Sequence, residues 1–161
     1  MSTLASRALG VALLLALCAG WSAAPARAAA APQESIQWLT FEQGLARARE
    51  TGRPILVSFW ADWCKFCTKM KAETYVDPEV IAAVNAGFVA VSVDTQADQR
   101  RAREFFVRGL PTIWFLESDG TTKITNLPGY VDAPTFVQIL RYLSTRSFET
   151  MDFKSFVDKG A

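Results

Sequence analysis

The stretch Trp60–Cys67, WADWCKFC, holds two of the three cysteines of a 161-residue chain that has no histidine. Just before it runs Pro54–Trp60, PILVSFW, a continuous apolar segment that fits a central strand buried on both faces. A helix is expected to follow over about Cys64–Thr74. A Cys-x-x-Cys pair at such a junction can be a metal clamp, a structural staple or a redox centre. A structural zinc site wants four ligands, usually Cys or His. The mature chain offers two cysteines, so only zinc shared between two copies survives of that reading. A Cu(I) carrier needs just two soft thiolates and stays open. A purely structural disulfide is poorly motivated, because loop-closure stabilisation grows with loop length and this loop is very short.

Redox chemistry explains the placement better. At a helix start Cys64 faces unpaired backbone N–H groups and the positive end of the helix dipole. Both favour the thiolate, which is the nucleophile. Cys67 lies about one turn on, on the same side and within bridging reach. Cys64, expected to be exposed, can then attack a partner's disulfide, and a buried Cys67 can resolve the mixed disulfide. Lys65 either adds a positive charge that lowers the Cys64 pKa or is a solvated surface lysine.

Outward from the pair, the rest of the chain reads as alternating elements. Ile36–Leu39 is expected as a short strand. Thr40 and Gln43 form a capping box for a helix over Phe41–Glu50, stopped by Gly52. Asp77-Pro78 starts another helix. Phe88–Val93 is a second buried strand, and Gln96–Val107 reads as a helix. GLPTIWFLESDGTTKITNLPG, from Gly109, is strand, turn and strand, with Asp119-Gly120 as the hairpin signal. Pro134–Ser144 is an amphipathic helix with Phe136, Ile139, Leu140 and Leu143 inward. The three phenylalanines of the tail, Phe148, Phe153 and Phe156, leave it open whether that tail packs or hangs loose. The order β-α-β-α-β-α-β-β-α gives an α/β layered sheet with a terminal antiparallel hairpin.

The first thirty residues are different material. One arginine-bearing segment, the apolar run ALGVALLLALCAGW and small-residue cleavage sites read as a secretory signal peptide cut after Ala28 or Ala30. An uncleaved anchor, or a lipoprotein using Cys18, are the alternatives. With the cut, Cys18 leaves, and Cys64 and Cys67 work in a disulfide-permissive compartment. The division is therefore residues 1–30 leader, 31–147 domain and 148–161 tail. A net charge of +1 with no basic block gives no electrostatic case for nucleic acid or an anionic membrane surface.

The motifs FWADWCKFC, GLPTIWF about 45 residues later, and PGYV before the last helix resemble the thioredoxin superfamily. More narrowly, ETYVDPEV and GYVDAPTF look like the periplasmic C-terminal thioredoxin-like domain of the bacterial transmembrane disulfide reductase and its free-standing secreted relatives. The resemblance implies a thioredoxin fold, a mixed sheet flanked by helices. It implies Cys64 as attacking thiol, Cys67 as resolving thiol and a cis Leu110–Pro111 bond facing the sulfurs. It places Trp60, Trp63, Leu110, Pro111, Thr112 and Gly129 along the peptide-docking surface, although Trp60 also fits ordinary core packing. No cofactor is implied beyond the redox-active Cys64–Cys67 disulfide, and no metal. Two departures stand out. Thioredoxins place a buried acid six residues before the first cysteine, where this chain has Ser58. The narrower relatives add an acid four residues after the second cysteine, where this chain has Lys71. Lys65-Phe66 also differs from the Gly-Pro of general thioredoxins. The expected protein is a periplasmic or otherwise secreted monomeric thiol–disulfide oxidoreductase. Oxidised exported proteins would be its substrates and a membrane thiol transporter its electron donor. A net oxidase or isomerase, or a redox-inactive or Cu(I)-binding module, are its rivals.

Overall fold

A computed structural model of the chain describes residues 35–160; the leader, its cleavage sites and Cys18 lie outside them. The apolar run PILVSFW is strand β1, Ile55–Trp60. It pairs in parallel with β2, Val89–Asp94, and antiparallel with β3, Thr112–Leu116. β3 pairs antiparallel with β4, Lys123–Pro128, giving the order β2-β1-β3-β4. Period-two alternation sends the side chains of β1 to opposite faces. Ile55, Val57 and Phe59 pack with Phe41, Val91 and Phe105 on one face. Leu56 packs with Met70, Val84, Phe136 and Leu140 on the other. Both faces are thus covered by helices, as a continuous apolar strand requires.

Helix α1, Phe41–Thr51, starts with the expected capping box, and Gly52 ends it in the left-handed region at φ 70°. Gly44 brings α1 against β2: a Cβ there would sit 2.1 Å from Val91 Cγ2. The expected first strand is reduced to one bridge, Leu39 to Val91, because Thr40 diverts the chain into α1. Helix α3, Pro78–Gly87, is capped by the Asp77 carboxylate. The expected helix over Gln96–Val107 is shortened to α4, Gln99–Glu104. Asp98 caps its start by accepting from Arg101 N–H, and Phe106 leaves it at φ 52° so that Phe105 can turn into the core. The Asp119-Gly120 turn closes the hairpin: the Asp119 carboxylate accepts from the N–H groups of Thr121 and Thr122. Helix α5, Ala133–Ser144, buries Phe136, Ile139, Leu140 and Leu143 as the periodicity predicts. The tail returns onto α5 through α6, Phe153–Asp158, with the rings of Phe148, Phe153 and Phe156 around Tyr142.

Candidate active site

β1 ends at Trp60, and the turn Ala61–Cys64 delivers the chain to helix α2, Lys65–Lys69. Cys64 is the N-cap residue of α2. Its extended backbone aims the sulfur at the helix start, where Sγ accepts the Cys67 N–H at 3.1 Å. Cys64 and Cys67 are joined as a disulfide, with Cα atoms 5.2 Å apart. The expected contrast in exposure is not found: Cys64 is 5% exposed and Cys67 3%. In the disulfide both sulfurs share one site beneath the turn, so what separates the two residues is the cap, which belongs to Cys64.

The helix expected over Cys64–Thr74 is interrupted. After α2 the chain makes a π-turn, Met70–Thr74, in which Tyr75 N–H donates to the Met70 carbonyl. Met70 and Thr74 are both fully buried. Around the disulfide the chain leaves large apolar surface in solvent. Trp63 is 68% exposed and Phe66 59%, with exposed Lys65 between them. Phe66 stands in the sequence only as part of the departure from Gly-Pro; its exposure follows from Cys67 and Met70 taking the inward face of the same turn.

Phe59 pairs with Thr112, which brings the Leu110–Pro111 turn to the end of the sheet from which the Cys64 turn leaves. The Leu110–Pro111 peptide bond is cis. Pro111 and Thr112 are buried, and Thr112 Oγ1 donates to the Gly109 carbonyl at 2.8 Å. Gly129, at φ 92°, donates its N–H to the Pro111 carbonyl at 2.7 Å. Among the described residues the backbone N–H and carbonyl of Leu110 make no backbone hydrogen bond.

Ser58 is 4% exposed and shares a 2.9 Å hydrogen bond with the Tyr75 hydroxyl. Burial pushes the Tyr75 phenol above its ordinary value, with the Ser58 bond opposing. Lys71 lays its ammonium 3.3 Å from the centroid of the Trp60 ring, while Trp60 Nε1 donates to Ser92 Oγ at 2.8 Å. Trp60 is thus half-buried packing, in contrast to Trp63. These groups line a cleft of about 470 Å³ with Trp38 as a further wall. The carboxylates nearest in sequence do not turn inward: Asp62 is exposed, and Glu73 accepts from the Tyr130 hydroxyl at the surface. The Ser58–Tyr75 pair had no sequence signal, because the π-turn is what sets the direction of Tyr75.

A mixed four-stranded sheet between helices, with a Cys-x-x-Cys disulfide at the end of its central strand and a cis-proline turn beside that end, is a thioredoxin fold. The chain belongs to the thioredoxin-like domain family, whose match covers residues 41–144. It is 32% identical over 108 residues to the thiol:disulfide interchange protein DsbD of Vibrio vulnificus, covering 64% of this chain and 18% of that protein. The corresponding protein of Ralstonia nicotianae is also 32% identical, over 104 residues. The chain thus spans under a fifth of the length of these relatives. Among solved structures, a Thermus thermophilus thioredoxin is 30% identical with a TM-score of 0.62, covering 68% of this chain and 87% of that one. The reduced C-terminal domain of Neisseria meningitidis DsbD is 28% identical with a TM-score of 0.55, covering 62% and 90%.

Proposed function

We propose that this protein is an exported protein-disulfide reductase working through Cys64 and Cys67. The observation that carries the reading is Cys64 at the cap of α2, its sulfur bonded to Cys67 and held by the Cys67 N–H. In the reduced protein the Cys64 thiolate attacks one sulfur of a partner's disulfide. A mixed disulfide forms and one partner thiolate leaves. Cys67 then loses its proton and attacks Cys64 Sγ, which releases the second partner thiolate and restores the Cys64–Cys67 disulfide. Two electrons have passed to the partner. A membrane thiol transporter, as the resemblance leads one to expect, would return two electrons, and uptake of one proton restores the Cys64 thiolate and Cys67 thiol. Trp63, Leu110, Pro111, Thr112 and Gly129 form the docking face, and the free backbone groups of Leu110 suit an extended partner segment. No further cofactor is needed, since the Cys64/Cys67 dithiol itself carries the two electrons and becomes the disulfide.

One observation favours a second reading. Ser58 and Lys71 put no carboxylate at the two positions where the resemblance leads one to expect acids. A thiolate unopposed by nearby negative charge stabilises the dithiol, which makes the couple more oxidising and suits a net oxidase. The oxidation state of the pair in the exported compartment separates the two directions. The shared mechanism is tested by trapping. Cys67→Ser should accumulate mixed disulfides with partner proteins, because attack proceeds and resolution cannot, and Cys64→Ser should accumulate few. Equal trapping by both variants would contradict the assignment.

A further inference from the structure

The π-turn that follows the disulfide helix is tied to a loop on the docking face. Thr74, fully buried, donates its hydroxyl to the Val131 carbonyl at 2.6 Å. Its neighbour Glu73 accepts from the Tyr130 hydroxyl at 2.8 Å. Lys69, one turn earlier, lies 4.4 Å from the Tyr130 ring centroid and 3.8 Å from the Glu73 carboxylate. Two consecutive residues of the turn therefore hold two consecutive residues of the loop between β4 and α5. The residue just before them is Gly129, which is bonded to the Pro111 carbonyl at 2.7 Å. A continuous line of contacts runs from Cys67 through the π-turn to Tyr130 and Val131, and on through Gly129 to Pro111. A π-turn re-aims side chains relative to a regular helix; here it sets Glu73 and Thr74 side by side against the loop.

The geometry points to Thr74 and Tyr130 as positioning residues that set the spacing between the disulfide helix and the Gly129–Val131 loop, and so favour disulfides carried on a protein segment over small disulfides. The inference rests on the redox reading of Cys64 and Cys67. A small disulfide needs only the Cys64 sulfur. A polypeptide must lie against both the disulfide helix and the loop, so their spacing enters its binding and not the chemistry. The Thr74 bond outweighs the Tyr130 bond, since Thr74 is buried whereas Lys69 and Glu73 are about half exposed.

The test compares reduction of a disulfide-bonded protein, insulin, with reduction of 5,5′-dithiobis(2-nitrobenzoate). Thr74→Val keeps the shape and removes the donor; it should raise KM for insulin by several-fold, up to about tenfold, and Tyr130→Phe by less, up to about threefold, the ceilings set by the whole worth of a buried and of an exposed hydrogen bond. The insulin kcat and the small-disulfide rate should stay within about twofold of wild type, and Thr74→Ser should restore KM. Amide exchange at Gly129 should accelerate in both variants while that of Val57 in β1 does not. Tyr130→Phe, at a partly exposed position, carries the test if Thr74→Val does not fold. An unchanged insulin KM, or an equal loss toward both disulfides, overturns the positioning role. Wild-type protein inert toward both disulfides is the separate signature that the redox reading itself has failed.

Discussion

Reducing the disulfide and titrating the protein with pH should reveal Cys64 as the thiol that ionises at unusually low pH. The Cys67 N–H sits 3.1 Å from Cys64 Sγ. A hydrogen bond to an ionised group contributes about 1.5–3 kcal/mol. The helix end adds about 0.3–1 kcal/mol. Burial opposes both, since Cys64 is 5% exposed and a thiolate loses solvation there. Together the favourable contributions come to about 1.8–4 kcal/mol, about 1.3–3 units at about 1.4 kcal/mol per unit, and they win where burial costs less than that. The assay is the rate of alkylation by iodoacetamide between pH 4 and 10, with the modified peptide identified by mass. The Cys67→Ser form isolates Cys64 while keeping the backbone N–H. The midpoint should fall below the free-cysteine value of about 8.5. A midpoint at or above that value would show that burial wins, and would remove the physical basis for Cys64 as the first nucleophile.

Lys71→Ala should lower stability by about 0.5–1 kcal/mol, the worth of an exposed ammonium over an indole, and leave the alkylation midpoint unmoved because the lysine faces Trp60. A large midpoint shift would mean that Lys71 acts on the sulfurs. Gly44→Ala should cost about 1–3 kcal/mol in urea unfolding, because the new methyl meets Val91 Cγ2 at 2.1 Å; a neutral result would show that α1 can lift off β2. Acid should destabilise the fold in a defined window. The Thr122 hydroxyl and the N–H groups of Thr122 and Thr121 hold Asp119 down to about 2, and capped N–H groups also hold Asp98, Asp132 and Asp152 below the usual carboxylate range. Folded values below the unfolded value of about 3.9 mean that this stability is present above that pH and is lost as pH falls toward about 2, so Tm should drop there and Asp119→Asn should flatten part of the drop. A Tm that is flat from pH 4 to 2 would refute it. Protein recovered from the exported fraction should begin near Ala29 or Ala31 by intact mass, and residues 1–20 still attached would rule out the cleavage.

Much of the fold could be read from periodicity and punctuation. PILVSFW is apolar at every residue but Ser58 because helices cover both faces of β1, and the Phe136, Ile139, Leu140 and Leu143 stripe is the buried face of α5. Thr40 with Gln43, Asp77-Pro78 and Asp119-Gly120 act locally, so their bonds form where the sequence placed them. What was not legible depends on tertiary packing. The Gln96–Val107 segment has helical composition, but the demand that Phe105 enter the core ends the helix early. The π-turn shifts one hydrogen bond, from Tyr75 N–H to Met70, and nothing in residue type announces it. The Ser58–Tyr75 and Thr74–Val131 contacts depend on that shift, across 17 and 57 residues of sequence, and so were invisible beforehand.

The same shift bears on the direction of electron flow. Ser58 occupies the place on β1, six residues before Cys64, where the resemblance leads one to expect a carboxylate. Its partner Tyr75 is a phenol that burial keeps protonated, so the pair is neutral and its hydrogen bond is internally satisfied. A neutral pair places no negative charge at that position, and a cleft wall of Trp60 capped by the Lys71 ammonium places none either. The Cys64 thiolate is then opposed by burial alone and supported by the Cys67 N–H and the helix end. That support reaches the couple only to the extent that the thiol is ionised at the working pH, and each 1.4 kcal/mol by which it stabilises the dithiol shifts the couple by about 30 mV toward oxidant. At pH 7 even two units of lowering from the free value of about 8.5 would stabilise the dithiol by under about 1 kcal/mol, about 20 mV, a small step off the thioredoxin value of about −270 mV and far short of DsbA's −120 mV, about 150 mV above it. A reductase driven by a strong membrane donor tolerates such a shift, whereas an oxidase built on this cap would need more thiolate stabilisation than the neighbouring Lys65 supplies, since its exposed charge is screened by solvent.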